Sequence, residues 1–163
     1  SSVIKYETTG ARNSATKWYI TRGLDTSGKL IVTKAEILVS DTLIIPRGTN
    51  LVVGKGIKFR FANEASLISF SPVSFYGTKN QPISFESAQV GQKWGVIAIV
   101  DTENRSVISH VQINDAGSNE MLGIKFTSPL NFHNSPSKME KVYCNDRPKE
   151  CVAVHPSIKS SSK

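Results

Sequence analysis

The side chains best able to do chemistry in this 163-residue chain fall in a few short stretches. Asp101, Glu103 and Arg105 share one segment, and Asp115 follows the next apolar run. Acid–base cleavage of a glycosidic bond needs two carboxyl groups roughly 5–10 Å apart, and elimination from an acidic sugar needs a base with a cation to neutralise the anion. Asp101 and Asp115 lie 14 residues apart, too close in sequence to fall on successive turns of the repeat described below, so they need not share a face. A solvated, charge-rich turn is the simpler reading of both. The histidines, at 110, 133 and 155, are scattered. His110 sits inside an apolar alternation over residues 108–113 and can face either way if the strand begins with a bulge. A lone strand histidine reads first as a hydrogen-bonded or exposed residue. The chain has no Gly-x-Ser-x-Gly elbow, P-loop, HExxH or Gly-x-Gly-x-x-Gly, so the signatures of serine hydrolases, nucleotide binders and zinc proteases are missing. Asn104-Arg105-Ser106 matches a glycosylation sequon, which matters only in a eukaryotic secretory host.

Cys144 and Cys151 enclose the polar loop Asn145-Asp146-Arg147-Pro148-Lys149-Glu150. Two cysteines this close read as a disulfide staple formed in an oxidising compartment, the alternative being two free thiols in a cytosolic protein. A metal site would need more ligands than Cys144, Cys151 and His155 offer at recognisable spacing, so neither a metal nor another cofactor is expected.

The net charge of +7 is distributed unevenly: residues 1–35 carry +4, residues 36–135 none and residues 136–163 +3. A nucleic-acid binder gathers basic residues on one face with aromatic partners. The neutral middle offers no such stripe, so a nucleic-acid partner is not expected. No apolar run approaches the ~20 residues of a membrane-spanning helix, and no basic-then-apolar leader opens the chain. A soluble, secreted or surface-displayed protein is therefore expected, any secretory leader having been cleaved.

The elements that would position these residues are strands. From about residue 29 to residue 132 the chain is a succession of β-branched and aromatic runs, at 29–33, 42–45, 50–53, 57–61, 66–70, 73–76, 83–85, 96–100, 107–113 and 124–126. Each has strand length and a turn signal after it. Many alternate: Lys58 and Arg60 interleave Ile57, Phe59 and Phe61, leaving one dry face. No long helical stripe competes. The punctuation repeats, with Gly54 followed 23 residues later by Gly77, and each glycine leads through a polar stretch into Ile57-Lys58-Phe59 or Ile83-Ser84-Phe85. A third pass runs from Trp94 to Ile113, and Ile124-Lys125-Phe126 opens a fourth.

A period near two dozen residues, three strands per turn and no NG or DG hairpin signal predict a parallel β-helix rather than an antiparallel sandwich. Phe59, Phe85 and Ile113 would then form one internal column, and Ile57, Ile83 and Val111 another. Pro46 and Pro82 suit strand ends, where a missing N–H breaks no ladder, and Gly48, Gly54 and Gly77 suit left-handed corners. Residues 1–28, with Trp18 as a lid, read as an N-terminal cap, residues 29–135 as the β-helix, and residues 136–163 as a disulfide loop and polar tail.

The ordered series Ile45-Pro46-Arg47-Gly48, Tyr76-Gly77-Thr78, Gln81-Pro82-Ile83-Ser84-Phe85 and Lys93-Trp94-Gly95-Val96-Ile97 resembles the right-handed parallel β-helix repeats of bacterial secreted and surface proteins, of the type that accompanies spore-coat-like kinase modules. The likeness covers about residues 42–115. Val96 stands where those proteins usually have a second glycine. The resemblance implies an all-β, short right-handed parallel β-helix of about four to five coils behind its cap. It says little about activity, because such solenoids carry lyases, hydrolases, adhesins and spacers alike.

The expected function is that of an extracellular structural or carbohydrate-binding module without chemistry of its own, with a polysaccharide or cell-surface glycan as partner. Trp94 and the outward Lys58, Arg60 and Lys125 are the first candidates for a binding face, although Trp94 equally well packs inside. Asp101 and Asp115 are the candidates if the chain is instead the N-terminal part of a polysaccharide lyase or glycoside hydrolase. A third reading is self-association through the open solenoid end.

Overall fold

The structure, a computed structural model, describes residues 3–4, 29–32, 34–145 and 148–155. The N-terminal segment with Trp18 lies outside the described residues except for Val3 and Ile4, and so does the tail from residue 156. In chain order the strands are β1 (Val3–Ile4), β2 (Lys29–Val32), β3 (Glu36–Val39), β4 (Leu43–Ile45), β5 (Asn50–Gly54), β6 (Lys58–Phe61), β7 (Leu67–Ser69), β8 (Val73–Tyr76), β9 (Ile83–Ser87) and β10 (Ile97–Val100). They continue as β11 (Ser106–Ile113), β12 (Asn119–Met121), β13 (Ile124–Phe126), β14 (Leu130–His133), β15 (Ser137–Cys144) and β16 (Val152–His155). A 3₁₀ turn, Pro148–Glu150, is the only helical element among the described residues.

The protein is all-β, and its strands build a curled parallel sheet in three stacked rows. The first row runs β2, β5, β8 and the first half of β11, then the first half of β15. The second runs β3, β6 and β9 into the second halves of β11 and β15. The third is a separate sheet, β4-β7-β10-β14-β16. Every pairing in these rows is parallel, as the repeating punctuation predicts. Phe59 lies opposite Phe85 and Phe85 opposite Ile113, while Ile83 lies opposite Val111. The internal columns expected from the Ile-x-Phe repeats are therefore present.

Alternation sends one face of each strand inward, as in β6, where Phe59 and Phe61 are buried while Lys58 is exposed. The inward rings form a stack. Phe59 and Phe85 lie 5.0 Å apart between centroids, Phe75 and Phe85 5.3 Å, and Phe61 and Trp94 4.3 Å. Aromatic pairs at such distances add roughly 0.5–1.5 kcal/mol beyond area burial.

The turn between the third row and the first repeats a device with no apolar signature. The N–H groups of Thr49, Val73 and Thr102 donate to the hydroxyls of Ser71, Ser106 and Ser135, each in the next layer, at 3.1, 3.0 and 3.1 Å. All three serines are buried. Each hydroxyl satisfies a main-chain donor that would otherwise be stranded where the chain bends away from its ladder.

Four expectations need correction. Ile124-Lys125-Phe126 does not open another pass; it is β13, paired antiparallel with β12. The hairpin turns on Leu122 and Gly123, with φ of 56° and 73°, the twin left-handed residues of a two-residue turn. Neither NG nor DG marks it, which is why it escapes a sequence search. The hairpin lays Met121, Ile124 and Phe126 on the outer face of β10, which is consequently buried on both sides. Gly54 and Gly77 are not equivalent corners: Gly54 pairs with Tyr76, and of the three glycines only Gly48 is left-handed. Gly77 is small for a different reason, since a Cβ there would lie 2.2 Å from the His110 carbonyl oxygen. Finally, the ladders do not stop at residue 135, because β15 and β16 extend both sheets.

Candidate functional site

The sequence-derived candidates do not converge. Trp94 is inside the core, 1% exposed, stacked on Phe61 with its indole Nε1 donating to the Asn114 carbonyl at 2.7 Å. Its ring is thus unavailable to a ligand. Lys58 and Arg60 do project outward from β6, where they are engaged with acids of the neighbouring strands: Arg60 pairs with Glu36 at 3.0 Å and Glu86 at 3.7 Å, and Lys58 reaches Glu86 at 3.9 Å. Lys125 lines a separate groove beside the hairpin together with Glu64 and Glu120.

Asp101 and Asp115 occupy left-handed turn positions, φ 54° and 61°, in different turns. Asp101 accepts from the Asn134 side chain at 3.1 Å. Asp115 exchanges two bonds with Asn145, at 3.1 and 3.2 Å. An aspartate that tolerates the left-handed region and is tied to an amide of the next layer is doing a turn residue's work. Cys144 and Cys151 are joined in a disulfide, with 5.6 Å between their Cα atoms. It ties the end of β15 to the start of β16 and sits buried at the foot of the Phe59–Phe85–Ile113 column.

A better-formed groove lies where the first row passes into the second. β11 and β15 cross this boundary without a loop, each through a single left-handed residue, His110 (φ 53°) and Lys141 (φ 58°). The register skips at these residues, running Ser109 opposite Glu140 and then Val111 opposite Val142. One layer above, β8 and β9 are joined instead by the longer segment 77–82. Gly77 keeps that segment against β11 through its N–H bond to the Ser109 carbonyl, 2.9 Å, and Thr78 and Gln81 close it with reciprocal main-chain bonds of 3.1 and 3.2 Å.

The overhang leaves a cavity of about 290 Å³ lined by Lys79, Pro82, His110, Gln112, Lys141 and Tyr143 among others. Among the described residues no carboxylate lines it, whereas the groove beside the hairpin holds Glu64 and Glu120, and a third, with Arg47 and Arg105, holds Glu103. Gln112 and Tyr143 are register partners on the outer face, so the backbones that carry an amide and an exposed phenol ring are neighbours about 4.8 Å apart in the ladder. Tyr143 is 57% exposed and Tyr76, at the end of β8, 50%.

Beside this groove Ser109 Oγ lies 2.9 Å from His110 Nδ1 and donates to Glu140 Oε2 at 3.2 Å. A hydroxyl has one proton. Having given it to the carboxylate, Ser109 has only acceptor capacity left to offer the imidazole. In a Ser-His-acid triad the carboxylate holds the imidazole and the imidazole takes the serine proton. Here the carboxylate holds the serine, which leaves the imidazole as a polar group of the groove.

Sequence reasoning missed Tyr143, Lys79, Lys141 and Gln112 because their proximity depends on the β11–β15 register, and β15 reads in sequence as a charged segment. Among the described residues, no group of three or more His, Cys, Asp or Glu side chains converges, and no helix is long and apolar enough to cross a membrane, which says nothing of a β-barrel. No family model, curated protein or solved structure matches the chain.

Proposed function

We propose that the chain is a short right-handed parallel β-solenoid of about four to five coils, of the bacterial secreted or surface repeat type, that binds an acidic carbohydrate in the groove over His110 and Lys141. Three parallel rows in register support the solenoid, and parallel crossovers are right-handed in nearly all proteins. A disulfide is at home in an oxidising compartment, which supports export. The groove's composition carries the functional reading: Lys79 and Lys141 supply positive charge, with no carboxylate among the described lining residues, beside the Tyr143 ring and the Gln112 amide. Carboxylated sugars offer an apolar ring face for the phenol, hydroxyls for the amide and imidazole, and a charge for the lysines. The ladder under the groove fixes the backbone of His110, Gln112, Lys141 and Tyr143, which lowers the ordering cost at the moment of binding.

The test is calorimetric titration of the disulfide-intact chain with oligogalacturonate, alongside an assay for new reducing ends. Binding without release of ends is expected, with Tyr143→Ala and the double variant Lys79→Gln/Lys141→Gln each weakening it about tenfold or more, the equivalent of ~1.4 kcal/mol. Weakening by salt should be lost in the lysine variant, because the attraction between exposed charges is screened. Absence of binding, or affinity indifferent to these variants, would overturn the proposal. Turnover lost in Ser109→Ala, or in Asp101→Ala and Asp115→Ala, would replace it with an enzyme.

A further inference from the structure

The last strand of the third row is held at its beginning by the disulfide, since Cys151 immediately precedes β16. Its far end carries a second pair. His155 closes β16 directly opposite His133 of β14. The two imidazole centroids are 6.3 Å apart at an interplanar angle of 49°. On its other side His133 meets the edge of Phe126, at 6.4 Å and 88°, so hairpin packing limits where its ring can go. Its Nδ1 is buried and has no hydrogen-bond partner. It is one of three buried side-chain polar atoms left unmatched among the described residues, and an unmatched buried polar atom is costly.

We infer that His133 and His155 form a two-histidine site for a divalent transition-metal ion, with His133 Nδ1 and one nitrogen of His155 as protein donors and water completing the shell. Neutral imidazole is the protein ligand best suited to Zn²⁺, Ni²⁺ and Cu²⁺. Two zinc–nitrogen bonds of ~2.0–2.1 Å at a tetrahedral angle place ring centroids about 5 Å apart, so the rings need to approach by about 1 Å. His155 is exposed and at the edge of its sheet, and its side chain can make that movement alone. The bound ion would fasten the far end of β16 as the disulfide fastens its start. Only the folded register brings residues 133 and 155 together, so the ion binds the folded chain selectively and stabilises it by mass action.

The probe is Zn²⁺, titrated into the tag-free, disulfide-intact protein and followed by side-chain imidazole NMR and thermal unfolding. One equivalent should shift the ring resonances of His133 and His155 together and leave those of His110 unchanged. It should raise Tm, and EDTA should reverse both effects. Because a chelate holds its second ligand at high effective concentration, His155→Gln should weaken binding roughly a hundredfold, and His133→Gln likewise, while His110→Gln should not. His155 is exposed, so its variant keeps the test decisive even if substitution of the half-buried His133 perturbs folding. Resonance shifts spread over all three histidines, a stoichiometry other than one, or affinity unchanged in His155→Gln would overturn the inference.

Discussion

The upper and lower layers of the stacked rows differ in what they spend residues on. In the first row, Leu30 to Leu51 to Val73 advances 21 and then 22 residues per layer, whereas Ser74 to Val107 to Lys138 advances 33 and then 31. The extra residues lie in turns: the overhang at 77–82, the stretch that carries Trp94 inward, and the β12–β13 hairpin. The ladders stay in register throughout. Lengthening a loop costs little, about 0.6 kcal/mol per doubling, while slipping a strand by one residue would expose its whole apolar face. Growth is therefore confined to the turns, where all three grooves lie. The regular layers supply rigidity and the irregular ones supply surface.

The sharpest way to break this contrast is to remove a shared part of the core. Phe85 stacks on Phe59 and packs against Phe75 and Phe61, joining a short-turn layer to a long-turn one. Phe85→Ala should lose about 3–5 kcal/mol in urea denaturation, with one cooperative transition. Two transitions would mean that the upper and lower layers unfold separately. In contrast, Lys79→Ala, on the overhang, should change stability by less than about 0.5 kcal/mol while weakening oligogalacturonate binding.

The disulfide probes the lower layers alone. It closes a loop with a sequence separation of 7, and the chain-entropy estimate for so short a loop is about 2–3 kcal/mol. Cys144→Ser/Cys151→Ser should show that loss in denaturant. Hydrogen exchange should accelerate in β15 and β16 before β5 and β8, since the disulfide fastens those two strands directly and each pairs on one side only among the described residues. Uniform acceleration would show the ladder to be more cooperative than its layered construction implies.

What was legible in the sequence follows the same division. The repeats that place Phe59 under Phe85 and Ile83 over Val111 show because each internal position recurs with the same residue type at nearly constant spacing. β3, β14, β15 and β16 were not recognised. β15 is the clearest case: Ser137-Lys138-Met139-Glu140-Lys141-Val142-Tyr143-Cys144 is mostly polar, and among the described residues it pairs with β11 alone, so one row of ordinary alternation is broken by the left-handed Lys141. The groove was illegible for the same reason, since its chemistry is distributed over β11, β15 and a loop that only the register brings together. Trp94 was ambiguous because an aromatic beside a glycine fits a binding face and a core equally. Three-dimensional packing decides it through Phe61. The buried serines of the turns carry no periodic apolar signal at all.

A last contrast lies between the two glycines that look alike in sequence, and their difference has a sign. Gly54 ends β5 with nothing within 4 Å of where a Cβ would stand and without a left-handed φ. Gly54→Ala removes freedom from the unfolded chain without straining the folded one, so it should stabilise by about 0.4–1 kcal/mol. At Gly77 the same methyl group would stand 2.2 Å from the His110 carbonyl oxygen, 2.9 Å from that of Ser109 and 3.0 Å from the Ile83 nitrogen. All three are backbone atoms that cannot rotate away. Gly77→Ala should therefore destabilise by about 1–3 kcal/mol and, because it pries the overhang from β11, weaken ligand binding in the groove as well. Chemical denaturation of the pair measures both signs. Equal, small effects would mean that the segment 77–82 yields to the added methyl, and the rigidity assigned to that wall of the groove would then be wrong.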